Sequence, residues 1–151
     1  MTIIIKSIKD LKNQINVACE RAIESASQIL LKELQEYINE DYYDLYEPIY
    51  YKRTYAFYKS AVAHMTGKSS SMVGIDNLYM SYQYPAKYNY LDGETGHWTG
   101  EDQVYMADAG FHGNASIYRD GHFWKDFEQF CKENAINILK LELKKQGLNI
   151  Q

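Results

Sequence analysis

The amino-acid sequence predicts a single α+β domain, residues 1–151, with a helix near each end of the chain and strands between them. Two long stretches near the termini carry apolar residues at helical spacing. Between them, Thr66-Gly67-Lys68-Ser69 is typical of a turn that joins strands. A chain of 151 residues fits one domain and is long enough to bury a core.

The first helix is predicted from Ser7 to about Asn39. Ser7 and Asp10 resemble a capping box, in which the serine oxygen accepts a free backbone N–H at the start of the helix. A narrow alanine-rich stretch in the middle leaves two alternatives, packing on the domain's own sheet or against a neighbouring subunit. The predicted apolar stripe consists of Ile8, Leu11, Ile15, Ala18, Ala22, Ile29, Leu30, Leu34 and Ile38.

The middle of the chain predicts strands and turns. Pro48 disfavours a helix at the residue before it, within a tyrosine-rich segment from Asp41 to Tyr51. Residues 53–64 fit either a strand or a short helix followed by a strand. Residues 70–84 fit a strand in which the alternation of apolar side chains slips by one residue, so we expect a bulge near Asp76.

The second half of the chain ends in another helix. Residues 85–100 form a long connection that we expect to be exposed and mobile in the free subunit. A short helix is predicted over residues 101–109, ended by Gly110, and residues 111–114 fit a turn. The final helix is predicted over residues 123–146, with Gly147 as the residue after its C-cap. Its predicted apolar face comprises Trp124, which we expect to be the core anchor, and Phe127, Cys131, Ala135, Ile138 and Leu141.

Composition restricts the classes of partner. Fifteen Tyr against five Phe and two Trp favour interfaces, although an AT-rich genome would also produce this excess. The formal net charge of −4 gives no basic surface for binding phosphates, so we expect no sequence-specific nucleic-acid binding. Cys19 and Cys131 form no CxxC pair and fit reduced core residues. No stretch fits a signal peptide or a membrane span, so we expect no membrane partner.

No catalytic motif emerges. His97, His112 and His122 lie near acidic residues and could be drawn as a metal site, but no spacing such as HxxxH or HExxH places two ligands on one helix face. Gly67-Lys68-Ser69 lacks the first glycine of a phosphate-binding loop, where Val62 stands. We therefore predict no catalytic residue, no metal and no cofactor, and keep a small metal-dependent hydrolase using the three histidines as the alternative.

Three stretches, in order, resemble small structural proteins encoded in the morphogenesis clusters of phages and prophages of Gram-positive hosts. Residues 46–54 resemble a Y-x-P-x-x-Y-x-R-T passage, and residues 109–113 resemble a short Gly-x-His-Gly turn. Residues 121–127 open a final helix that closes on residues 147–150, as in those proteins. The likeness runs from Tyr46 onward and includes the N-terminal helix only generically.

The chain is thus similar to the head–tail joining and tail-completion group of siphophages. The resemblance implies an antiparallel β-sheet packed by a long N-terminal helix and a C-terminal helix, and a non-enzymatic virion subunit. It also implies self-association into a ring, docking to neck, portal or tail proteins, and a location in the host cytoplasm during assembly and then in the virion. The association surface predicted from the tyrosine cluster is Tyr42, Tyr43, Tyr46, Tyr50, Tyr51 and Arg53.

Overall fold

The computed structural model describes residues 7–45, 55–79, 87–89, 95–97, 100–110 and 122–148. Its helices are α1 (Ile8–Ile38), a π-helical turn (Asn39–Tyr43), α2 (Ala56–Ser60), α3 (Gly100–Asp108) and α4 (Phe123–Lys145). Its strands are β1 (Ala61–Gly67), β2 (Ser70–Ile75), β3 (Lys87–Asn89) and β4 (Thr95–His97).

Helix α1 begins where the sequence predicts. The side chain of Ser7 accepts a hydrogen bond from the backbone N–H of Asp10 at 3.1 Å, which satisfies one of the free donors of the first turn. The helix runs for 31 residues to Ile38 and continues directly into the π-helical turn. The predicted helix from Ser7 to about Asn39 is confirmed.

Helices α1 and α4 pack against each other in antiparallel orientation. Ser25 donates a hydrogen bond to Glu142 at 2.8 Å, and the ring of Tyr37 lies edge-on to that of Phe130 with centroids 6.3 Å apart. In the alanine-rich stretch of α1, Ala22 and Ala26 are buried. Of the two alternatives for that stretch, packing within the chain is therefore the one observed at these two alanines.

Strands β1 and β2 form an antiparallel hairpin that packs against α1. The hairpin follows α2 directly, so a short helix and then a strand is the correct alternative for residues 53–64, of which 53 and 54 lie outside the described residues. The turn between the strands lies at Lys68 and Ser69, as predicted. The ladder is irregular between Met65 and Gly67.

The predicted strand over residues 70–84 is too long. Strand β2 ends at Ile75, and the side chain of Asp76 accepts a hydrogen bond from the backbone N–H of Tyr79 at 2.9 Å, which caps a helical turn over residues 77–79. An aspartate in this position competes with strand pairing by satisfying the backbone locally. The bulge expected near Asp76 is not found, because β2 ends at Ile75 and its register shift lies between Met65 and Gly67, at the turn end of the hairpin. Residues 80–84 lie outside the described part.

The connection over residues 85–100 contains regular structure that the sequence did not indicate. Strands β3 and β4 pair antiparallel, with Lys87 opposite His97. The expectation of an exposed, mobile connection is not addressed by the described residues. Helix α3 follows, and Gly110 adopts a φ of 83° two residues after its end, close to the predicted stop.

Helix α4 ends as predicted, in a Schellman motif. Gly147 has a φ of 85°, the N–H of Leu148 donates to the carbonyl of Leu143 at 3.0 Å, and the N–H of Gly147 donates to that of Lys144 at 2.9 Å. This confirms Gly147 as the residue after the C-cap.

The apolar face of α4 is rotated from the predicted one. Phe123 is fully buried, whereas Trp124 is half-buried and Leu141 is exposed. The expectation that Trp124 is the core anchor is therefore wrong, because the adjacent Phe123 occupies that position. Trp124 instead covers the edge of the core, and its indole N–H donates to Glu128 at 3.1 Å.

The core joins α1, the π-helical turn, α2, α3, α4 and the hairpin. Its buried residues are Leu34, Ile38, Tyr43, Phe57, Ala61, Ala107, Phe123 and Phe127. The predicted fold class, an α+β architecture with an antiparallel sheet packed by long N-terminal and C-terminal helices, is confirmed. None of the helices in the described ranges combines the length and hydropathy that a bilayer crossing requires.

Candidate functional site

The predicted tyrosine surface begins at a cluster of aromatic rings that we call the aromatic junction. It lies where the π-helical turn, α2 and the start of α4 meet. The members of the junction are Tyr42, Tyr43, Tyr55, Phe57, Phe123 and Trp124.

The π-helical turn determines which tyrosine faces the core. The N–H of Asp44 donates to the carbonyl of Asn39 at 2.7 Å, a bond across five residues rather than four. Along α1 the buried stripe passes through Leu34 and Ile38, and an α-helical continuation would place residue 41 or 42 next. In the wider π-helical turn the core-facing position comes later in the sequence, so Tyr43 is the residue that enters the core.

Tyr43 is a core residue with a satisfied hydroxyl. Its side chain is 4% exposed, and its hydroxyl oxygen accepts the backbone N–H of Phe57 at 3.2 Å. This bond satisfies a donor in the first turn of α2, which has no side-chain cap of its own. The expectation that Tyr43 points outward as part of an association surface is therefore wrong.

The rings of the junction pack mainly edge to face. Phe57 contacts Phe123 with centroids 5.2 Å apart and an angle of 86° between the ring planes. Tyr42 contacts Phe57 in the same manner at 5.2 Å and 83°. This geometry sets the positive edge of one ring against the negative face of the next, which favours a single arrangement of the rings.

The junction reaches the surface at two tyrosines. Tyr42 is half-buried and packs against the core. Tyr55 is 45% exposed, adopts a left-handed φ of 55° and stacks at a tilt on Tyr43, with centroids 4.8 Å apart. A left-handed tyrosine is unusual and strained, so the surrounding packing must hold Tyr55 in place.

Two carboxylates from other elements hold the N-terminus of α4. Asp108, at the end of α3, accepts the backbone N–H of Trp124 at 3.0 Å. Asp41, in the π-helical turn, accepts a backbone hydrogen bond from His122. Both interactions place negative charge at the positive end of a helix, where the first N–H groups have no partner within the helix.

The cost of burying the carboxylate of Asp41 is only partly compensated by its hydrogen bond. Burial raises the pKa of its carboxyl, and the nearby carboxylates of Asp126 and Glu40 raise it further, against the lowering effect of the bond from His122. Among the residues that the structure describes, Oδ2 of Asp41 is buried without a hydrogen-bond partner. Ionised Asp41 therefore costs folding stability that the hydrogen bond offsets only in part.

The other predicted interface residues fall in a part of the chain that the structure does not describe. Tyr46, Tyr50, Tyr51 and Arg53 lie outside the described residues. The junction residues that the sequence analysis missed are Tyr55, Phe57 and Phe123. Phe123 lies one helical turn before Phe127, but Trp124 and Phe127 also fit one helix face, so spacing alone does not select Phe123.

The three histidines of the alternative hydrolase are not brought together by the described part of the chain. His122 is exposed at the start of α4, His97 belongs to β4, and His112 lies outside the described residues. Within the described ranges, no group of three His, Cys, Asp or Glu side chains could hold a metal ion. Cys19 and Cys131 are both free and half-buried, and burial raises the pKa of the Cys131 thiol.

Comparison with known proteins gives one family. The family model of YomN matches residues 7–146. The SPbeta prophage-derived uncharacterized protein YomN of Bacillus subtilis (strain 168) is 32% identical, and the alignment covers 56% of this chain and 72% of that protein. No solved structure matches the chain.

The fold and this relative together define an α+β protein of prophage origin. The chain belongs to the YomN family. The match begins at Ser7, so the family's shared region includes α1, which the resemblance seen in the sequence covered only generically.

Proposed function

We propose that this chain is a structural subunit of a phage particle, located at the head–tail junction or the tail terminus. In this proposal it associates with itself in a ring and docks to neighbouring neck, portal or tail proteins. The prophage origin of the family supports the general setting. The particular location extends the resemblance of residues 46–54, 109–113 and 121–127 to head–tail joining and tail-completion proteins.

The observation that carries the proposal is the continuity of the aromatic junction with the surface. Tyr43 and Phe57 are buried, Tyr42 is half-buried, and Tyr55 is 45% exposed. Tyrosine has a large apolar ring with a polar tip, so it suits surfaces that are wet before assembly and buried after it. The segment between the two surface tyrosines carries Tyr46, Tyr50 and Tyr51 as well.

The predicted association surface therefore loses one member and keeps the rest. Tyr43 belongs to the core, while Tyr42, Tyr46, Tyr50, Tyr51 and Arg53 remain proposed interface residues. The planar guanidinium of Arg53 suits a carboxylate across a subunit boundary. The net charge of −4 is compatible with a ring around a DNA passage, because an acidic wall would not hold the passing phosphates.

The location is tested by deleting the gene from an inducible prophage that encodes this chain. We expect electron microscopy of the induced lysate to show filled heads separated from tails, and mass spectrometry to detect the chain in purified wild-type particles. Infectious, joined particles at wild-type titre from the deletion strain would contradict the proposal.

The association surface is tested by complementing that deletion with Tyr50→Glu. We expect the variant to fold, as judged by circular dichroism, and to fail to restore the titre, because the added charge opposes burial at an interface. Tyr105→Glu is the matched control, since Tyr105 is 72% exposed on α3 and is not part of the tyrosine-rich segment of the sequence. Restoration of titre by folded Tyr50→Glu would remove Tyr50 from the surface.

A further inference from the structure

The buried core occupies only one half of the α1–α4 pair. In α1 the core cluster and the half-buried side chains packed against it begin at Leu30, and in α4 they end at Cys131. Residues 132–145 of α4, which we call the strap, supply no side chain to this cluster within the described part of the chain. The strap therefore lies against α1 outside the core.

Little apolar surface is buried where the strap meets α1. The strap, which the structure describes in full, has two buried residues, Glu142 and Leu143, and Leu143 is the apolar one. On either side of Ser25 in α1, the buried residues Ala22 and Ala26 have small side chains. Because hydrophobic stabilisation scales with the apolar area removed from water, this half of the helix pair is held more weakly than the half with the core.

A buried carboxylate links the strap to α1. Glu142 is 3% exposed, its Oε2 accepts a hydrogen bond from the hydroxyl of Ser25 at 2.8 Å, and its Oε1 accepts one from Nζ of Lys145 at 2.6 Å. The bond from Ser25 crosses between the two helices, whereas Lys145 lies three residues further along the strap itself. Burying a charge is costly unless its oxygens are hydrogen-bonded, so the closed strap depends on these bonds.

The opposite end of α4 is held by much larger contacts. Phe123 is fully buried and packs edge-on against Phe57, with ring centroids 5.2 Å apart. The backbone N–H of Trp124 donates to Asp108 at 3.0 Å. Segments that bury few apolar groups are the ones that open locally while the rest of a protein stays folded. Helix α4 therefore has one firmly fixed end and one weakly fixed end.

We propose that the strap opens from α1 as one unit while the core stays folded, and that the Ser25–Glu142 hydrogen bond is the latch that holds it closed. Opening returns the Glu142 carboxylate to water and uncovers little apolar surface, so the balance between the two states depends mainly on the latch. The bond from Lys145 can persist in the open state because both of its partners belong to α4. The device is a property of the single chain and does not depend on the proposed function.

Hydrogen exchange of the full chain, followed by NMR amide by amide in increasing urea, tests the separate opening. An isolated helix of about 14 residues is marginal in water, so the strap amides exchange once it detaches. We expect the amides of residues 136–145 to exchange together and faster than that of Leu34 in the core. Their exchange should also depend less on urea, because opening the strap exposes less surface than global unfolding.

Two results would overturn the separate opening. Exchange that quickens residue by residue toward the end of α4 would show simple fraying of the helix. A strap that exchanges at the rate of Leu34, with the same dependence on urea, would show that it unfolds only together with the core.

Ser25→Ala tests the latch without changing the sequence of the strap. The substitution leaves Oε2 of Glu142 without its donor, so we expect the strap amides to exchange about 10- to 100-fold faster, as the loss of a hydrogen bond to a charged group implies. Ser27→Ala is the matched control, since Ser27 is 3% exposed in α1 and its hydroxyl donates to the carbonyl of Glu24 in the same helix. Equal acceleration by the two variants would refute the latch.

Phe127→Leu separates opening of the strap from loss of global stability. Phe127 is buried in the core, which stays packed when the strap opens. We expect the amide of Leu34 to exchange faster in this variant while the strap amides keep their wild-type rates. Acceleration of the strap amides by the same factor as Leu34 would contradict an independent unit.

Adding Glu142→Met to Ser25→Ala tests whether the buried charge is the cause. An apolar side chain of similar volume in place of a buried charged group is often neutral or stabilising. We therefore expect the strap amides of the double variant to exchange at the wild-type rate or more slowly. Exchange as fast as in Ser25→Ala alone would show that the unsatisfied carboxylate does not drive the opening.

Discussion

Replacing Tyr43 with Phe tests the finding that this tyrosine belongs to the core rather than to a surface. The change keeps the ring that contacts Tyr42 and Tyr55 and removes only the hydroxyl that accepts the N–H of Phe57. Tyr43 and Phe57 are 4% and 1% exposed, so water does not replace the lost acceptor.

The expected loss follows from leaving a buried donor unpaired. Such a donor costs about 1–3 kcal/mol of folding free energy. For a chain of this length, each kcal/mol lowers the unfolding temperature by about 2–4 °C, so we expect a decrease of about 2–12 °C.

Urea titration followed by circular dichroism measures this loss. We expect the midpoint to fall for Tyr43→Phe while the slope of the transition stays unchanged, since the surface exposed on unfolding is the same. Tyr105→Phe is the control, because its ring is 72% exposed and its hydroxyl can bond to water; we expect a change within about 0.5 kcal/mol. Equal midpoints for the two variants would refute the buried role of the Tyr43 hydroxyl.

Three further results are expected from the packing. Phe123→Ala should cost about 3–5 kcal/mol in urea titration, and half-buried Trp124→Ala distinctly less; the reverse order would contradict the observed face of α4. Hydrogen bonds from Lys145 and Ser25 lower the pKa of the buried Glu142 carboxyl. The contribution of Glu142 to folding stability is therefore complete above pH 4.5 and is lost as the pH falls through the lowered pKa. Glu142→Gln should abolish this pH dependence. The raised pKa of Asp41 has the opposite effect, because folding stability decreases as the pH rises from 3.8 through the raised pKa. The stability of Asp41→Asn relative to wild type should therefore increase over that pH interval. A constant difference would show that the carboxyl is not buried.

The helices were predictable because their signals are local. The Ser7 cap and the Gly147 stop each depend on a few neighbouring residues, and each is found where the sequence indicates. The predicted apolar stripe of α1 is buried at Ala22, Leu34 and Ile38, whereas its first members, Ile8, Leu11 and Ile15, are exposed. The rotated face of α4 was a choice between adjacent aromatic residues, Phe123 and Trp124. Both fit a helical stripe, and only contact with Phe57 from another element decides between them.

The errors at Tyr43 and Asp76 have a common physical origin. In both places a backbone hydrogen bond replaces the one that the regular element would make: the Asp44 N–H reaches Asn39 across five residues, and the Asp76 side chain takes the N–H of Tyr79. A prediction from periodicity requires that the helix or strand continues regularly. One changed backbone bond therefore changes which face of the element each later side chain occupies. Single-sequence patterns do not contain the tertiary packing that selects such a bond.

The π-helical turn also determines which end of the α1–α4 pair is closed. Helix α1 has 31 residues and α4 has 23, so some of α1 must extend past α4. Because the turn continues α1 over residues 39–43, it lies beside the first turns of α4, where Asp41 binds the backbone of His122. That end of the helix pair is thereby closed by the aromatic junction. At the other end, the register that Ser25 and Glu142 define brings Lys145, the last residue of α4, opposite Ala22, so residues 8–21 of α1 extend past α4. The exposed side chains of Ile8, Leu11 and Ile15 lie in this extension of α1.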